Sequence, residues 1–547
     1  MDVGTITRSE NMGAFLNRGN EEFLESVNSE IYIDKTDMIA FLNQRVNTEG
    51  KYICVSRPRR FGKTMTANMI AAYYEKGCDS RGLFENRKLA HVDDKEKWDR
   101  YLNCFDVIRI DIAGLLAEHG TALKALKALE RGVVQELREA YPICSVDETE
   151  SLVSALTKIN DQTKNRFIII IDEWECFFRD CKNDIKVQKQ YIDLLRTLFK
   201  DNRSKKFLAL GYITGILPIK RYKSESALNN FDEYTMTSPA NLAEYIGFTS
   251  DEVEGLCEAY DMNIDEVMEW YNGYNFDECT HIYGPNSIVK AMQRKKCENF
   301  WSRTSSFSSL ASYITMNFDG LKDAIVQLLA GQRIKVRVNT FENDMISFRR
   351  SDDILTMLIH LGYLGYDSLT KEVYIPNKEV QEIFEDNIDN TGWNDVIETL
   401  NESEELLEAT LAGEEKIVAE CIERCHDRNT SVLQYNNENS LACVISLAYY
   451  TARKDYVIVR EMPRGKGFAD LVFLPKKNVD MPVMVIELKW EKSADTALNQ
   501  IREKNYPDEL QGINGEILLV GINYEKEQGE ISKKHSCRIE RIYIENN

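Results

Sequence analysis

The stretch Lys51–Tyr74, KYICVSRPRRFGKTMTANMIAAYY, decides how this chain is read. Its apolar run Tyr52–Val55 reads as a short buried strand. A turn, Ser56–Gly62, follows. Lys63-Thr64 then opens a segment in which Met65, Met69, Ala72 and Tyr73 share one helical face. Strand, glycine-bearing loop, Lys-Thr and helix are the layout of a phosphate-binding loop. Loop and helix N-terminus present unpaired N–H groups, and the helix dipole favours an anion there. A lysine at the helix start can reach outer phosphates, and the Thr64 hydroxyl can ligate Mg²⁺. The full pattern is G-x-x-x-x-G-K-[ST]. Here Arg57 stands at the first glycine position, so only Gly62-Lys63-Thr64 match. Such a triplet arises readily by chance, and the bland alternative is a surface turn before a helix. The strand-to-helix setting therefore carries the reading.

The chain has 547 residues, enough for two to four domains. Its 43% hydrophobic and 29% charged content is that of a soluble globular protein. Aliphatic runs such as Ile168–Ile171 are far too short to span a bilayer, so no membrane role is expected. The start, MDVGTITRSENMGAF, shows no basic region followed by an apolar one. Thirteen cysteines without paired spacing point to a reducing compartment, and the expected location is the cytoplasm. Cys421, Cys425 and His426 form the one cluster, with no second pair to complete a zinc site. The net charge of -21 excludes a passive nucleic-acid coat, which would be basic. Any nucleic-acid contact must use local basic patches on an acidic body.

Before the loop, Ile31–Lys35 (IYIDK) looks like a short strand, followed by a helical Thr36–Phe41. Asp34 and Lys35 either face a nucleotide or, for Asp34, cap the helix. Val107–Ile112 alternates as the next strand and carries Asp111. Leu123–Tyr141 has helical spacing. Phe167–Trp174, FIIIIDEW, reads as a central parallel strand, with Asp172-Glu173 at the carboxyl end where open α/β sheets bind ligands. Asp172 can hold Mg²⁺ through its water shell, and Glu173 can orient and deprotonate an attacking water. Phe207–Thr214 is another buried strand, whose Thr214 could touch a γ-phosphate. Lys220 and Arg221 are candidates for neutralising transition-state charge, or a solvated basic pair. Asp232–Thr237 is a fifth strand, and the helical Tyr245–Tyr260 and Ile264–Trp270 suit a lid. The aromatics of Trp270–Phe276 read as a packed core turn.

Four stretches together resemble the bacterial AAA-ATPase-like family often fused to a nuclease. They are YIDKT (Tyr32–Thr36), RPRRFGKT (Arg57–Thr64), IDEW (Ile171–Trp174) and WYNGYNF (Trp270–Phe276). The similarity covers roughly residues 20 to 310. It implies ATP binding by Lys63 and Thr64 with the loop residues Arg59, Arg60, Phe61 and Gly62. It also implies handling of Mg²⁺ and water by Asp172 and Glu173. Trp174 and Glu175 stand where the family commonly shows Tyr and Asp.

Residues 311–400 carry mixed signals, with helical Phe318–Leu329 and Asp353–Leu361 and a strand edge at Val373–Pro376, and suit a winged-helix-like connector. From Ser440 the pattern changes. An apolar helix, Leu441–Thr451, has Glu438 near its start. Strands Val457–Glu461, Phe468–Leu474 and Val483–Trp490 follow, then a helix, Ser493–Lys504, and strands Glu516–Ile522 and Ile539–Ile544. Asp470 on one strand and Glu487-x-Lys489 on the next have a clear chemical logic. Two carboxylates and the Leu488 carbonyl can converge on one divalent ion, with Glu438 adding to them. Lys489, two residues past Glu487, shares its strand face and can hold the attacking water. Gln500 can fix that water or the lysine. Unpaired charge in apolar strands is expensive, which argues against a casual surface ion pair. The arrangement resembles the PD-(D/E)XK nuclease superfamily, in the form fused to AAA-ATPase-like domains, over about residues 431 to 547. Ala469 replaces the family's proline before the first Asp.

The expected whole is an α/β chain in four parts. These are a P-loop AAA-like ATPase core (1–240), a helical lid (241–310), a connector (311–430) and a PD-(D/E)XK nuclease-like domain (431–547). Its expected cofactors are ATP and Mg²⁺ or Mn²⁺. Its expected partners are nucleic acid, DNA in the first place, and further copies of itself. The expected activity is ATP-regulated DNA cleavage. The other reading is a sensing ATPase whose nuclease-like domain binds without cutting.

Overall fold

The computed structural model describes residues 13–544 except 93–96, 182–183, 220, 223–224, 227, 302–319, 342–347, 390–393, 429–444, 446–447, 465–466, 477–478, 480, 491, 504–514 and 527–532. The chain forms two compact units. One is Met1–Ser302 with Lys335–Val380; the other is Arg303–Ile334 with Gln381–Asn547.

The first unit is built on a parallel sheet of β1 (Tyr52–Ser56), β2 (Asp106–Asp111), β3 (Phe167–Asp172), β4 (Leu208–Gly215) and β5 (Asp232–Tyr234). Their order is β2-β3-β4-β1-β5, parallel throughout. Every residue of β1, β3 and β4 is buried, which is why they read as unbroken apolar runs. Helices α1 (Lys63–Tyr74), α2 (Ala122–Ala140), α3 (Leu152–Thr163) and α4 (Ile185–Phe199) accompany the sheet. On α2 the buried positions Ala122, Ala125, Leu126, Leu129, Val133 and Leu137 recur every three or four residues, one apolar stripe. Leu129 and Val133 join Leu156, Ile169, Ile171 and Leu195 in one core. Because β1 lies between β4 and β5 while β2 is at the far edge, the strand order reverses at β1. Its carboxyl end is where such a sheet opens a crevice.

Helices α5 (Ser250–Tyr260), α6 (Ile264–Tyr271) and α7 (Pro285–Arg294) pack around Val253, Val267, Ile288 and Met292. Helices stand where the sequence suggests them, although the first begins at Ser250 rather than Tyr245, where a Thr249–Glu252 capping box starts it. Ile31–Lys35 is not a strand but an irregular segment. Its three consecutive apolar residues, Ile31, Tyr32 and Ile33, line a cleft instead of joining the sheet. The WYNGYNF turn packs as a core turn: Tyr274 Oη donates to Gly362 O (2.6 Å) and Tyr374 Oη to Gly273 O (2.9 Å). These contacts bind α8 (Ser351–Leu361) and the hairpin Gly365–Asp367/Glu372–Tyr374 into the first unit. The segment 311–430 is thus divided between the two units rather than standing as a connector of its own.

The second unit holds α9 (Asn394–Ala412), α10 (Glu415–Arg428) and a five-stranded mixed sheet. Its strands are β6 (Tyr456–Arg464), β7 (Gly467–Pro475), β8 (Val483–Trp490), β9 (Gly515–Lys526) and β10 (Lys533–Ile544), side by side in chain order. All neighbours are antiparallel except β8 and β9, which run parallel across the helix α11 (Ala494–Glu503). The expected helix Leu441–Thr451 and Glu438 lie largely or wholly outside the described residues. Among the described residues no helix is long and apolar enough to cross a membrane.

Candidate active sites

At the end of β1 the three loop arginines take different tasks. Arg57, in the first-glycine position, is fully buried. Its Nη1 donates to Ser56 O (2.9 Å) and Tyr234 O (3.2 Å), and its Nη2 to Leu242 O (3.1 Å). Its guanidinium lies 5.5 Å from the Phe276 ring centroid. Burial pulls its pKa down to about 10, so it stays charged at neutral pH. Its φ is not positive, so glycine is not required there, and the side chain staples the loop to β5 instead. Arg60 donates to Phe300 O (3.1 Å), while Arg59 has no polar partner among the described residues and lines the adjoining cleft. Phe61 is buried edge-on against Tyr274 at 5.4 Å, anchoring the loop to the WYNGYNF turn. Gly62 has φ +89°, the left-handed geometry that turns the chain into α1.

Lys63 lies along its own loop, Nζ donating to Pro58 O (2.8 Å). Burial lowers its pKa, against the pull of Glu175, Asp172 and Glu173. Thr64 Oγ1 donates to Asp172 Oδ2 (2.8 Å), so helix start and the tip of β3 meet. Burial raises the Asp172 pKa; the Thr64 hydrogen bond and Lys63 oppose it. Glu173 follows with φ +50°, a left-handed conformation rare outside glycine. Its Oε2 accepts from Arg179 Nη2 (3.0 Å) and Cys176 Sγ (3.2 Å). Burial would raise its pKa, but the Arg179 hydrogen bond and charge prevail and hold it below the usual range.

A cleft of about 780 Å³ opens over the loop, lined by Arg59–Thr64 and Glu173 on one side and by Ile31, Ile33, Phe248 and Val289 on another. A charged floor with an apolar wall suits a nucleotide, phosphates inward and base outward. The Thr64–Asp172 pair suits Mg²⁺, which takes one or two protein oxygens and keeps waters. Thr214, opposite Asp172 in the sheet, is buried and its Oγ1 donates to Val55 O (2.9 Å), so its proton is committed to β1. Asp34 caps a turn, accepting from Thr36 N (2.9 Å) and Lys88 N (2.7 Å). Lys35 turns to α5, donating to Glu252 (2.7 Å). Lys220 and the Arg221 side chain lie outside the described residues. Sequence reasoning missed Arg179; its only signal was the i, i+4 spacing from Glu175, to which Nη1 donates (3.0 Å).

In the second unit, β7 and β8 run antiparallel, Leu471 opposite Ile486. Asp470 Oδ2 accepts from Leu488 N (2.7 Å), which sets its carboxylate against the backbone between Glu487 and Lys489. Glu487 and Lys489 share one strand face and are almost wholly buried. Lys489 Nζ donates to Glu487 Oε1 (3.1 Å) and to Leu488 O (2.9 Å). Gln500 Nε2, from α11, donates to the same Glu487 oxygen. The structure thus brings Asp470, Glu487, Leu488, Lys489 and Gln500 together. Two carboxylates and a carbonyl are the oxygen donors a hard divalent cation takes. Among the described residues no group of three or more His, Cys, Asp or Glu converges, so water and substrate oxygens would complete the shell. Glu438 lies outside the described residues.

Residues 21–223 match the family model for a predicted AAA-ATPase, and residues 436–534 match that for the PD-(D/E)XK nuclease superfamily. The chain carries both domains. Lys63, Thr64, Asp172 and Glu173 fall inside the AAA-ATPase-like match, and Asp470, Glu487, Lys489 and Gln500 inside the PD-(D/E)XK match. A protein of Azotobacter chroococcum mcd 1, "Uncharacterized protein in vnfD 5'region", is 22% identical over 520 residues, covering 91% of this chain and 94% of that protein. Among solved structures, the Aeropyrum pernix ORC2 protein is 13% identical over 69% of this chain and 99% of its own, with a TM-score of 0.29. Cdc6p from Pyrobaculum aerophilum is 11% identical over 65% of this chain and 93% of its own, with a TM-score of 0.21. At such scores these two likenesses are too weak to bear on fold or function.

Proposed function

We propose that this chain binds and hydrolyses ATP in its AAA-ATPase-like domain and, under the control of that nucleotide, cleaves DNA phosphodiesters in its PD-(D/E)XK domain. The observation that carries the proposal is the buried Glu487–Lys489 pair with Asp470 bonded to the backbone between them. Taking such charges out of water is costly, and hydrophobic residues would pack a strand at least as well. A ligand-binding task accounts for them.

At the nuclease site, a divalent cation held by Asp470, Glu487 and the Leu488 carbonyl would polarise the scissile phosphate and acidify the attacking water. Lys489 supplies positive charge beside that water and Gln500 fixes the Glu487 carboxylate. In the ATPase cleft, the Arg59–Thr64 loop cradles phosphates, Lys63 leaves its Pro58 bond to reach them, and Asp172 with Thr64 holds the Mg²⁺ of MgATP. Glu173 orients the attacking water. The chain works as a cytoplasmic homo-oligomer in this reading.

The test is cleavage of plasmid and linear DNA with Mg²⁺ or Mn²⁺, with and without ATP, by the wild type, Asp470→Ala and Lys63→Ala. Wild type should cut. Asp470→Ala should lose roughly a thousandfold, the worth of several kcal/mol of metal-based stabilisation. Lys63→Ala should lose the response to ATP. A wild type that binds DNA but does not cut it under any metal or nucleotide condition would leave a sensing ATPase.

A further inference from the structure

Glu173 is a strange place to leave a water-activating carboxylate unless something holds it. Its backbone is in the left-handed region, and its side chain is about one-third exposed at the cleft. One oxygen, Oε2, is gripped by Arg179 Nη2 (3.0 Å) and by the Cys176 thiol (3.2 Å). The other, Oε1, has no protein partner among the described residues, on a residue that lines the cleft.

Arg179 is itself immobilised. It sits on the short helix Cys176–Arg179, and its side chain is 9% exposed. Nη1 donates to Glu175 Oε1 (3.0 Å), and Nε and Nη2 reach the Asp180 carboxylate (both 3.0 Å). Glu175 is in turn fully buried, and its Oε1 also accepts from Ile216 N (3.1 Å). It enters this space because residue 215 is glycine: a Cβ there would collide with Glu175 Oε2. That oxygen has no hydrogen-bond partner among the described residues. A buried carboxylate with an idle oxygen is costly, and its evident use is to fix the guanidinium beside it. Gly215, Glu175, Arg179 and Glu173 thus form a chain from the end of β4 to the cleft.

We infer that Arg179 is the positioning residue for Glu173: it pins Oε2, with Glu175 as its buried anchor, so that Oε1 meets the attacking water at a fixed place. This rests on the reading of Glu173 as the residue that orients water for ATP hydrolysis. Glu173 lines the cleft and Arg179 is not among the described residues that do, so in this role it acts through Glu173. Its planar fork reaches three carboxylates at once, those of Glu173, Glu175 and Asp180, in a fixed geometry that a lysine lacks.

The experiment is steady-state MgATP hydrolysis by the full chain. Arg179→Gln should lower kcat about 100-fold, the cost of a reacting group displaced by about an ångström, with KM within about twofold. Arg179→Lys should recover about tenfold of the loss, since it keeps the charge but not the fork. In a Glu173→Gln background, adding Arg179→Gln should change kcat less than about twofold, because the two groups act as a unit. Arg179→Gln leaves Glu175 buried without its counter-charge. The pair Arg179→Gln with Glu175→Gln removes that burden, and must show the same kcat loss with a wild-type melting temperature. Wild-type kcat in Arg179→Gln, or losses that multiply with Glu173→Gln, overturns the positioning role alone. A wild type that binds MgATP and never hydrolyses it overturns the ATPase reading, and the positioning role with it.

Discussion

Lys63 and Lys489 are buried to nearly the same degree, at 7% and 5% exposure, yet the two units hold them in opposite ways. Lys63 rests on a backbone carbonyl of its own loop, and the nearby carboxylates of Asp172 and Glu173 are taken by Thr64 and Arg179. Lys489 is paired directly with Glu487. Burial therefore does not distinguish the sites; the partner does. A lysine kept from carboxylates can give its charge to an incoming phosphate at little cost to the fold. A lysine joined to a buried glutamate is part of what holds that carboxylate in a sheet core.

The largest consequence concerns stability. Lys489→Ala should weaken β8 by about 3–5 kcal/mol, since it strands a buried carboxylate. Lys63→Ala should cost β1 only about 1 kcal/mol, one hydrogen bond to a carbonyl. Native-state hydrogen exchange reads each strand separately in this two-unit chain. Equal losses at the two strands would erase the contrast. Restoring neutrality with Lys489→Met and Glu487→Gln together should recover most of the first loss.

Next comes a group whose charge the first unit disfavours. Glu75, just past the end of α1, is buried and accepts from Gly19 N (2.7 Å). Burial raises its pKa from 4.5 to about 7, against the Gly19 hydrogen bond. A carboxyl with a raised folded-state pKa adds stability fully below its unfolded pKa, and loses it as pH rises through the folded value. Relative to Glu75→Gln, the wild type should therefore lose on the order of 3 kcal/mol between pH 4.5 and 8. Unfolding of both proteins across that range checks it; a constant difference would show that Glu75 stays charged throughout.

A smaller effect than that of Glu75 tests the departure from the phosphate-loop pattern. Arg57→Gly restores the first glycine but removes three hydrogen bonds to backbone carbonyls. It should cost about 2 kcal/mol and leave ATP affinity no better. Tighter ATP binding by this variant would mean that Arg57 obstructs the loop rather than bracing it.

These contrasts also show what could be read from the chain alone. Buried strands with charged tips were legible: β3 and β8 and their acidic ends follow from apolar runs closing on Asp or Glu, and β1 from an apolar run closing on the arginine-rich loop. The pairing of Asp470 with the Glu487–Lys489 strand was legible because a period of two puts residues 487 and 489 on one face. Arg57 was legible only as a mismatch, since nothing local shows that its side chain turns inward to Tyr234 and Leu242, far along the chain. Arg179 lies in CFFR, an unremarkable apolar turn, and its meaning depends on Glu173 standing in a left-handed conformation. Ile31–Lys35 misled because three consecutive apolar residues lining a cleft look, in sequence, like a short buried strand. Lys335–Val380 joins the first unit through contacts such as Tyr374 to Gly273, which span about a hundred residues and leave no periodic trace.

Mn²⁺ titration of the nucleotide-free full chain, followed by electron paramagnetic resonance, tests most directly whether the paired strands of the second unit were built around a cation. One bound Mn²⁺ should disappear in Asp470→Asn and persist in Asp172→Asn. Unchanged Mn²⁺ binding in Asp470→Asn, with the protein still folded, would contradict the assignment of that site.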